Sequence, residues 1–246
     1  MKNLLNKFKK GFSQRGLLGI SKMVCVFIKK HTWASPGRRK SQLISALKVH
    51  SEAYRKIGNL VIPGTGGGLH PKHRIMNYHK FFVDHIGSDD IVLDFGCGNG
   101  ALTFSVAKKA REIVGIDFDA KHIAQAKRNF SRENIKYIVG DVLEYDFNKK
   151  FNKIILSNVL EHIKDRVKLL KNLQNITEVI LLRVPMITRD WLVVFKKEMN
   201  LEYKLDSTHE TEFTSEQLQD ELAQAGWKIQ DHQIIWGEFW GVIVKE

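Results

Sequence analysis

The sequence predicts a doubly wound α/β fold: a mostly parallel sheet, helices on both faces, and an antiparallel hairpin at the carboxyl end. Three observations carry this. From Asp90 onward, short apolar runs alternate with segments of helical periodicity across short links. The first run passes directly into a glycine turn, Val92-Leu93-Asp94-Phe95-Gly96-Cys97-Gly98-Asn99-Gly100. The chain closes on two β-type runs, Trp227–Trp236 and Phe239–Val244, around Gly237-Glu238, so one strand at that edge should run against the others.

Taken in order, residues 31–72 punctuate more than they fold. Ser35-Pro36-Gly37 reads as a turn, and Pro63-Gly64-Thr65-Gly66-Gly67-Gly68 as a flexible loop. Between them Ser41–Ile57 has helical spacing, with Leu43, Ala46, Leu47 and Tyr54 on one side. His70–Ile86 reads as one further helix, with Ile75, Tyr78, Phe82 and Ile86 on one face. Strands are then expected at Ile91–Asp94, Ile113–Asp117, Ile135–Val139, Lys153–Ser157 and Val179–Val184. Helices are expected at Asn99–Ala110, Ala120–Asn129, Ile163–Asn172 and Ser215–Ala225. Pro185–Phe213 is too long for a simple strand-to-helix link. Trp191, Leu192, Val193 and Phe195 predict a short helix inside it, and insertions at the carboxyl ends of sheet strands shape ligand sites.

Composition sets the outer limits. The 246 residues, 43% of them hydrophobic, suffice for one sizeable core. The two cysteines, Cys25 and Cys97, form neither a disulfide framework nor a zinc spacing, which fits a reducing, cytoplasmic compartment. The net charge of +12 is concentrated at one end: residues 1–60 hold fourteen Lys and Arg against the single acid Glu52. The chain therefore divides into a basic N-terminal arm with a helical and loop extension, residues 1–69, and an α/β domain, residues 70–246, with the insertion 185–213 shaping its acceptor side. Leu17–Ile28 is apolar but broken by Lys22, and is shorter than the roughly 20 residues a spanning helix needs. Leu4, Phe8 and Phe12 recur at helical spacing among lysines, a pattern for an interfacial helix at an anionic membrane face. A solvated basic tail, or a helix packed on the body, is the alternative.

The glycine turn sits where ligands bind in a doubly wound sheet. Glycines there let a ligand approach the backbone, and the following helix start offers N–H groups. The second strand ends in Asp117, a carboxylate placed to accept two ribose hydroxyls. The third ends in Asp141 followed by Val142, an acid for an exocyclic amine and an apolar face for adenine. The pocket thus suits adenosine. NAD is disfavoured on two grounds: the loop reads GxGxG rather than GxGxxG, and Asp94 would repel a pyrophosphate while suiting an ammonium group.

At these residues the sequence resembles the class I S-adenosylmethionine-dependent methyltransferases. The resemblance is carried by VLDFGCGNG, by VGIDFDA, by GDVLEYD and by Ser157-Asn158-Val159-Leu160-Glu161-His162-Ile163, in that order, and it extends over roughly residues 70–246. It implies a seven-stranded, Rossmann-like sheet and S-adenosyl-L-methionine as cofactor. It places Asp94 and Gly96 by the methionine moiety, Gly98 and Asn99 in the same loop, and Asp117 on the ribose. Phe118, Asp141 and Val142 fall by the adenine, Ser157 and Asn158 near the reactive methyl, and Arg74 or Tyr78 by the ligand carboxylate.

The implied reaction is an in-line displacement at the sulfonium methyl, for which no metal is required. His162 is the first candidate general base, with ordering of the helix start as its alternative. His209, in Asp206-Ser207-Thr208-His209-Glu210-Thr211-Glu212, is the second, with a loop contact as its alternative. Arg183, Arg189 and Asp190 are candidates for holding a carboxylate, phosphate or sugar, unless Arg189 and Asp190 pair with each other. Trp191, Trp236 and Trp240 are expected in the core.

Nucleobase methylation is disfavoured, because the segment after the fourth strand lacks the Asn/Asp-Pro-Pro-aromatic pattern and neither cysteine sits as a nucleophile. The motif is similar to that of small-molecule enzymes. RDW, LDSTHETEFT and AGW resemble bacterial members associated with cell-surface glycan synthesis. The expected function is methyl transfer to oxygen of a small-molecule or glycan-type acceptor, with peripheral contact at the inner membrane face through the arm. An RNA methyltransferase using the arm and a non-catalytic cofactor-binding scaffold are the alternatives.

Overall fold

The computed structural model describes residues 36–64 and 70–246. The amphipathic stretch around Leu4, Phe8 and Phe12, the apolar stretch Leu17–Ile28 and the Gly-rich segment 65–69 lie outside the described residues. Among the described residues, those up to Ala53 belong to one compact unit and those from Tyr54 to a second, which carries the sheet. Among the described residues no helix is long and apolar enough to cross a membrane.

Helix α1 spans Pro36–Gly64. The expected turn at Ser35-Pro36-Gly37 is therefore corrected: Pro36 opens the helix, where its missing N–H has no partner to lose. Pro63 and Gly64, expected in a loop, form the helix end. Within α1 Leu47 is buried, while Leu43 and Tyr54 are exposed.

The single helix expected over His70–Ile86 is two, α2 (Pro71–Met76) and α3 (Tyr78–Asp84). Asn77 separates them in the left-handed conformation at φ 51°, which Asn tolerates better than most residues.

The sheet runs β3-β2-β1-β4-β5-β7-β6. Its members are β1 (Ile91–Phe95), β2 (Glu112–Asp117), β3 (Ile135–Val139), β4 (Lys153–Ser157), β5 (Val179–Pro185), β6 (Trp227–Ile235) and β7 (Glu238–Lys245). Strands β1 to β5 are parallel, and β7 inserts antiparallel between β5 and β6. The hairpin turn is Trp236-Gly237, one residue earlier than expected, with φ of 56° and 72° at its two positions. Positive φ at both central residues matches the right-handed strand twist, as in a type I′ turn.

The helices between strands are α4 (Ala101–Val106), α5 (Ala120–Asn129), α6 (Arg166–Leu173), α7 (Trp191–Glu198) and α8 (Ser215–Gln224). Alternate residues of each central strand feed opposite cores. Leu93, Phe95, Ile154, Leu156, Ile180 and Leu182 face α6 and α8 through Leu169, Leu170 and Leu218. Val92, Ile113, Ile155 and Leu181 face α3 and α4 through Phe82, Leu102 and Val106. Burial on both faces explains why the strands read as nearly unbroken apolar runs.

Trp240 is buried as expected, but Trp191 and Trp236 are 72% and 59% exposed, a correction to their core assignment. Both sit at element ends, in the first residue of α7 and in the hairpin turn, where the sheet and helix faces no longer cover them.

Candidate functional site

Chain order reverses between β1 and β4: the chain steps from β1 outward to β3, then returns to β4 on the other side. The carboxyl ends of β1 and β4 therefore diverge into a crevice, the place where doubly wound sheets bind ligands.

The glycine loop after β1 is held from both sides. Gly96 and Cys97 donate their N–H groups to Ile116 O at 2.9 and 3.0 Å. A Cβ on Gly96 would lie 2.7 Å from Val159 Cγ2, and one on Gly100 would lie 2.6 Å from the Tyr137 hydroxyl. Two of the three glycines are thus also required by packing against the protein itself. Gly98 alone, at φ 54°, has open space where its Cβ would be.

Asp117, at the tip of β2, is 6% exposed. Its Oδ2 accepts from Gly98 N and its Oδ1 from Asp119 N, both at 2.9 Å. A carboxylate offers about four acceptor positions, so each oxygen keeps a lone pair for an outside donor. His122 Nδ1 stands 3.5 Å from Asp117 Oδ1.

Around that carboxylate, Phe118 is 78% exposed and Asn99 is exposed with its Oδ1 accepting from Ala101 N at 3.3 Å. Asp141 is exposed, and its Oδ1 accepts from Leu143 N at 2.9 Å. Val142 is half-buried and packs on the core beneath. On the β4 side, Ser157 Oγ accepts from Arg183 Nη1 at 3.3 Å. Asn158 holds φ 57°, and its buried Oδ1 has no partner.

Asp94 lies beneath this surface, 2% exposed, accepting from Thr103 Oγ1 at 2.6 Å. Burial pushes its pKa up to about 6, although the Thr103 hydrogen bond acts the other way. A raised carboxyl pKa means the folded protein holds the proton more tightly than the unfolded chain. Asp94 therefore costs nothing below about pH 4, the unfolded value, and increasingly destabilises the fold as pH rises to 6. Asp94→Asn is expected to stabilise the protein at pH 7.5 by about 1–2 kcal/mol, less than the pKa shift alone implies because the amide N–H₂ lacks a partner. Thermal melts of both proteins at pH 4 and 7.5 check this; the gain should vanish at the lower pH.

The candidate bases meet on the other side of the β4 end. A 3₁₀ turn, Leu160–His162, follows the loop, and Glu161 O accepts from Glu210 N at 2.8 Å, pinning the insertion to it. The His162 and His209 rings lie 4.6 Å apart, nearly perpendicular. His162 Nδ1 is 3.0 Å from Thr208 Oγ1, and His209 Nδ1 is 3.3 Å from Glu212 Oε1. Burial, then the neighbouring His209, hold the His162 pKa below its ordinary value, so that ring is neutral near pH 7. Glu161 is wholly buried, and neither carboxylate oxygen has a hydrogen-bond partner. That burial pushes its pKa up to about 8. Glu161 lies inside the motif Ser157–Ile163, and its burial is a tertiary fact that local pattern does not show.

The arginines are corrected. Arg183 is 4% exposed and donates from Nε and Nη2 to Glu238 at 2.6 and 2.9 Å, its guanidinium lying 3.7 Å over the Tyr78 ring. It is consumed inside the protein and cannot hold a ligand anion. Tyr78 is buried likewise, its hydroxyl 2.6 Å from His73 Nδ1, while Arg74 is exposed. Arg189 pairs with Glu212 and not with Asp190, which instead caps α7 through Leu192 N at 2.9 Å.

A cavity of about 380 Å³ opens at the same end of the sheet, lined by Ile75, Met76, Leu205, Trp236, Arg189 and the Lys72–Glu238 ion pair among others. Another, of about 260 Å³, lies by Lys136 and Phe147 and touches none of the candidate residues.

Comparison with known proteins agrees with the fold. The profile of a family described as a methyltransferase domain matches residues 92–179, from β1 to the start of β5. The ribosomal protein L11 methyltransferase of Thermotoga petrophila is 31% identical over 115 residues, 46% of this chain and 41% of its own length. A protein named as probable ribosomal RNA small subunit methyltransferase A, from Methanococcoides burtonii, is 34% identical over 97 residues, 37% of this chain and 36% of its own. The chain thus spans less than half the length of these curated relatives. Among solved structures, magnesium protoporphyrin IX methyltransferase from Synechocystis PCC 6803, with bound SAH, superposes with a TM-score of 0.56 at 16% identity, covering 71% of this chain and 83% of its own. At that identity the likeness is one of fold.

Proposed function

We propose that this chain, which belongs to the class I S-adenosylmethionine-dependent methyltransferases, binds S-adenosylmethionine in the crevice between β1, β2 and β4. It transfers the methyl group to an oxygen of a small-molecule or glycan-type acceptor. The observation that carries the cofactor reading is Asp117: a nearly buried acid at the tip of β2, tied to Gly98 N and retaining free acceptor capacity.

In this reading Asp117 takes the ribose hydroxyls. Phe118, Asp141 and Val142 flank the adenine. Asp94, Gly96, Gly98 and Asn99 surround the methionine end, and Ser157 and Asn158 sit by the methyl. The acceptor oxygen forms a bond to the methyl carbon as the carbon–sulfur bond breaks, the electron pair staying on sulfur. The hydroxyl proton passes to solvent at His162, the exposed member of the cluster Glu161, His162 and His209. Alignment and exclusion of water supply most of the acceleration, because the sulfonium is already a good leaving group.

The cavity of about 380 Å³ beside the insertion supports a compact acceptor. The basic residues of the arm support work at an anionic membrane face, on the cytoplasmic side. A second reading, RNA methylation, is supported by the same charge.

Transfer of labelled methyl from S-adenosylmethionine to sugars, lipid-linked sugars on anionic vesicles, and RNA separates these. Label on a sugar or lipid-linked sugar is expected. Label on RNA, lost steeply with salt, would establish the second reading. Cofactor binding without transfer to any class would make the chain a cofactor-binding scaffold.

A further inference from the structure

We propose that Glu161, His162 and His209 bind one divalent first-row transition-metal ion, of the manganese, cobalt or zinc kind. One ligand atom from each residue lies within 4.8 Å of the others, close enough for a single ion to span them. Two imidazoles and a carboxylate are a recurrent donor set for such ions and leave coordination positions open for an outside ligand.

The independent observation is Glu161 itself. It is 0% exposed, and both of its oxygens lack any partner. Burying a carboxylate without a partner costs several kcal/mol, so native proteins pair such groups with a cation or a hydrogen-bond donor. The nearby cations are already committed, because Arg183 and Lys72 both pair with Glu238.

The hydrogen bonds around the two rings set the matching tautomers. Thr208 Oγ1 donates to Asp206 Oδ1 at 2.8 Å, so at His162 Nδ1 it accepts, and the ring proton sits on Nδ1. His209 Nδ1 faces the carboxylate Glu212 Oε1, which fixes its proton there too. Each ring is left with an unprotonated Nε2, the nitrogen a metal needs. A metal-ligating histidine commonly donates its other N–H to a carboxylate or another acceptor, and both do so here. Glu212 is held in turn by Arg189 and by Leu205 N, so the outer support is itself built. His162 is exposed, which gives an ion a route in.

Local pattern marks the two histidines only as candidate bases or loop contacts and implies no metal, because residues 161 and 209 are brought together only by the returning insertion. The site stands on this geometry. Its use in catalysis rests on the function proposed above: an ion here would hold and polarise the acceptor oxygen, making its hydroxyl more acidic, with the proton passing to solvent.

The test is titration of chelator-treated full-length protein with Co²⁺, followed by visible d–d absorption and calorimetry, with Mn²⁺ followed by electron paramagnetic resonance. One equivalent per chain is expected. Glu161→Gln and His162→Gln should each weaken binding roughly 100-fold, and Thr208→Val about 10-fold by removing the acceptor that orients the His162 ring. His162 is exposed, so its variant folds even where the buried Glu161 variant does not. Affinity for S-adenosylhomocysteine should be unchanged in all three. Absence of stoichiometric binding, or binding equally tight in the His162 and Glu161 variants, overturns the site. Cobalt binding without any cofactor binding would leave the site standing and remove the methyltransferase reading; the converse would remove the metal alone.

Discussion

Asp117→Ala is expected to lower affinity for S-adenosylmethionine roughly 100-fold or more while the protein stays folded. The carboxylate has two tasks. In the proposed reading it offers free lone pairs to the two ribose hydroxyls, and a hydrogen bond to a charged group contributes about 1.5–3 kcal/mol. It also fixes Gly98 N and Asp119 N, each at 2.9 Å, and so sets the spacing between the glycine loop and the β2 tip. Two such bonds exceed the roughly 2.7 kcal/mol that a 100-fold change represents. Asp117→Asn keeps an acceptor oxygen but loses the charge, and should fall between. Calorimetric titration with S-adenosylhomocysteine checks both, with circular dichroism to confirm folding. Unchanged affinity in the alanine variant would show that the ribose is not held at the end of β2.

The largest effect on stability is expected at Glu238. Its carboxylate takes two bonds from Arg183, one from Trp240 Nε1 at 3.1 Å, and an ion pair from Lys72 at 3.1 Å, while remaining 3% exposed. Glu238→Ala leaves the Arg183 charge buried and unpaired, which costs about 3–5 kcal/mol. For a chain of this size that corresponds to a fall in Tm on the order of 10 °C. The double variant Arg183→Met with Glu238→Leu removes both charges and should recover much of the loss, because a buried pair contributes little beyond an apolar replacement.

The pH dependence follows with the opposite sign to that of Asp94. Burial raises the Glu238 pKa, but the bonds and charge of Arg183 outweigh it and the net shift is downward. The stabilisation is complete above the unfolded value near pH 4.5 and is lost as pH falls through the lower folded value. Thermal melts across pH 3–8 of both variants against the parent check the magnitude and the sign. A Glu238→Ala protein as stable as the parent would contradict the buried-pair account.

Local pattern and tertiary contact contributed differently to what the sequence revealed. Helix Ala120–Asn129 and strands Ile135–Val139 and Lys153–Ser157 fall where periodicity placed them, because buried parallel strands are unbroken apolar runs between polar links. The helix break at Asn77 was hidden, since the apolar spacing of Ile75, Tyr78 and Phe82 continues across it. Glycines showed themselves as a loop, but not their reasons: Gly96 answers to Val159 and Gly100 to Tyr137, partners on other elements.

Arg183 looked like a free ligand group because its partner is 55 residues away and reaches it only through the β5–β7 pairing. Glu161 and His209 meet for a comparable reason. The insertion returns to the sheet through the Met186–Phe213 bridge and lays His209 against the turn after β4. Residues whose work depends on a short segment were legible; those whose partners arrive by topology were not.

Calorimetric titration of the full chain with S-adenosylmethionine, S-adenosylhomocysteine and NAD decides whether the crevice at the ends of β1, β2 and β4 is built for S-adenosylmethionine. One equivalent of each of the first two, with Kd on the order of micromolar, and no heat from NAD, is the result expected. Binding of NAD alone, or of none of the three by a folded protein, would contradict it.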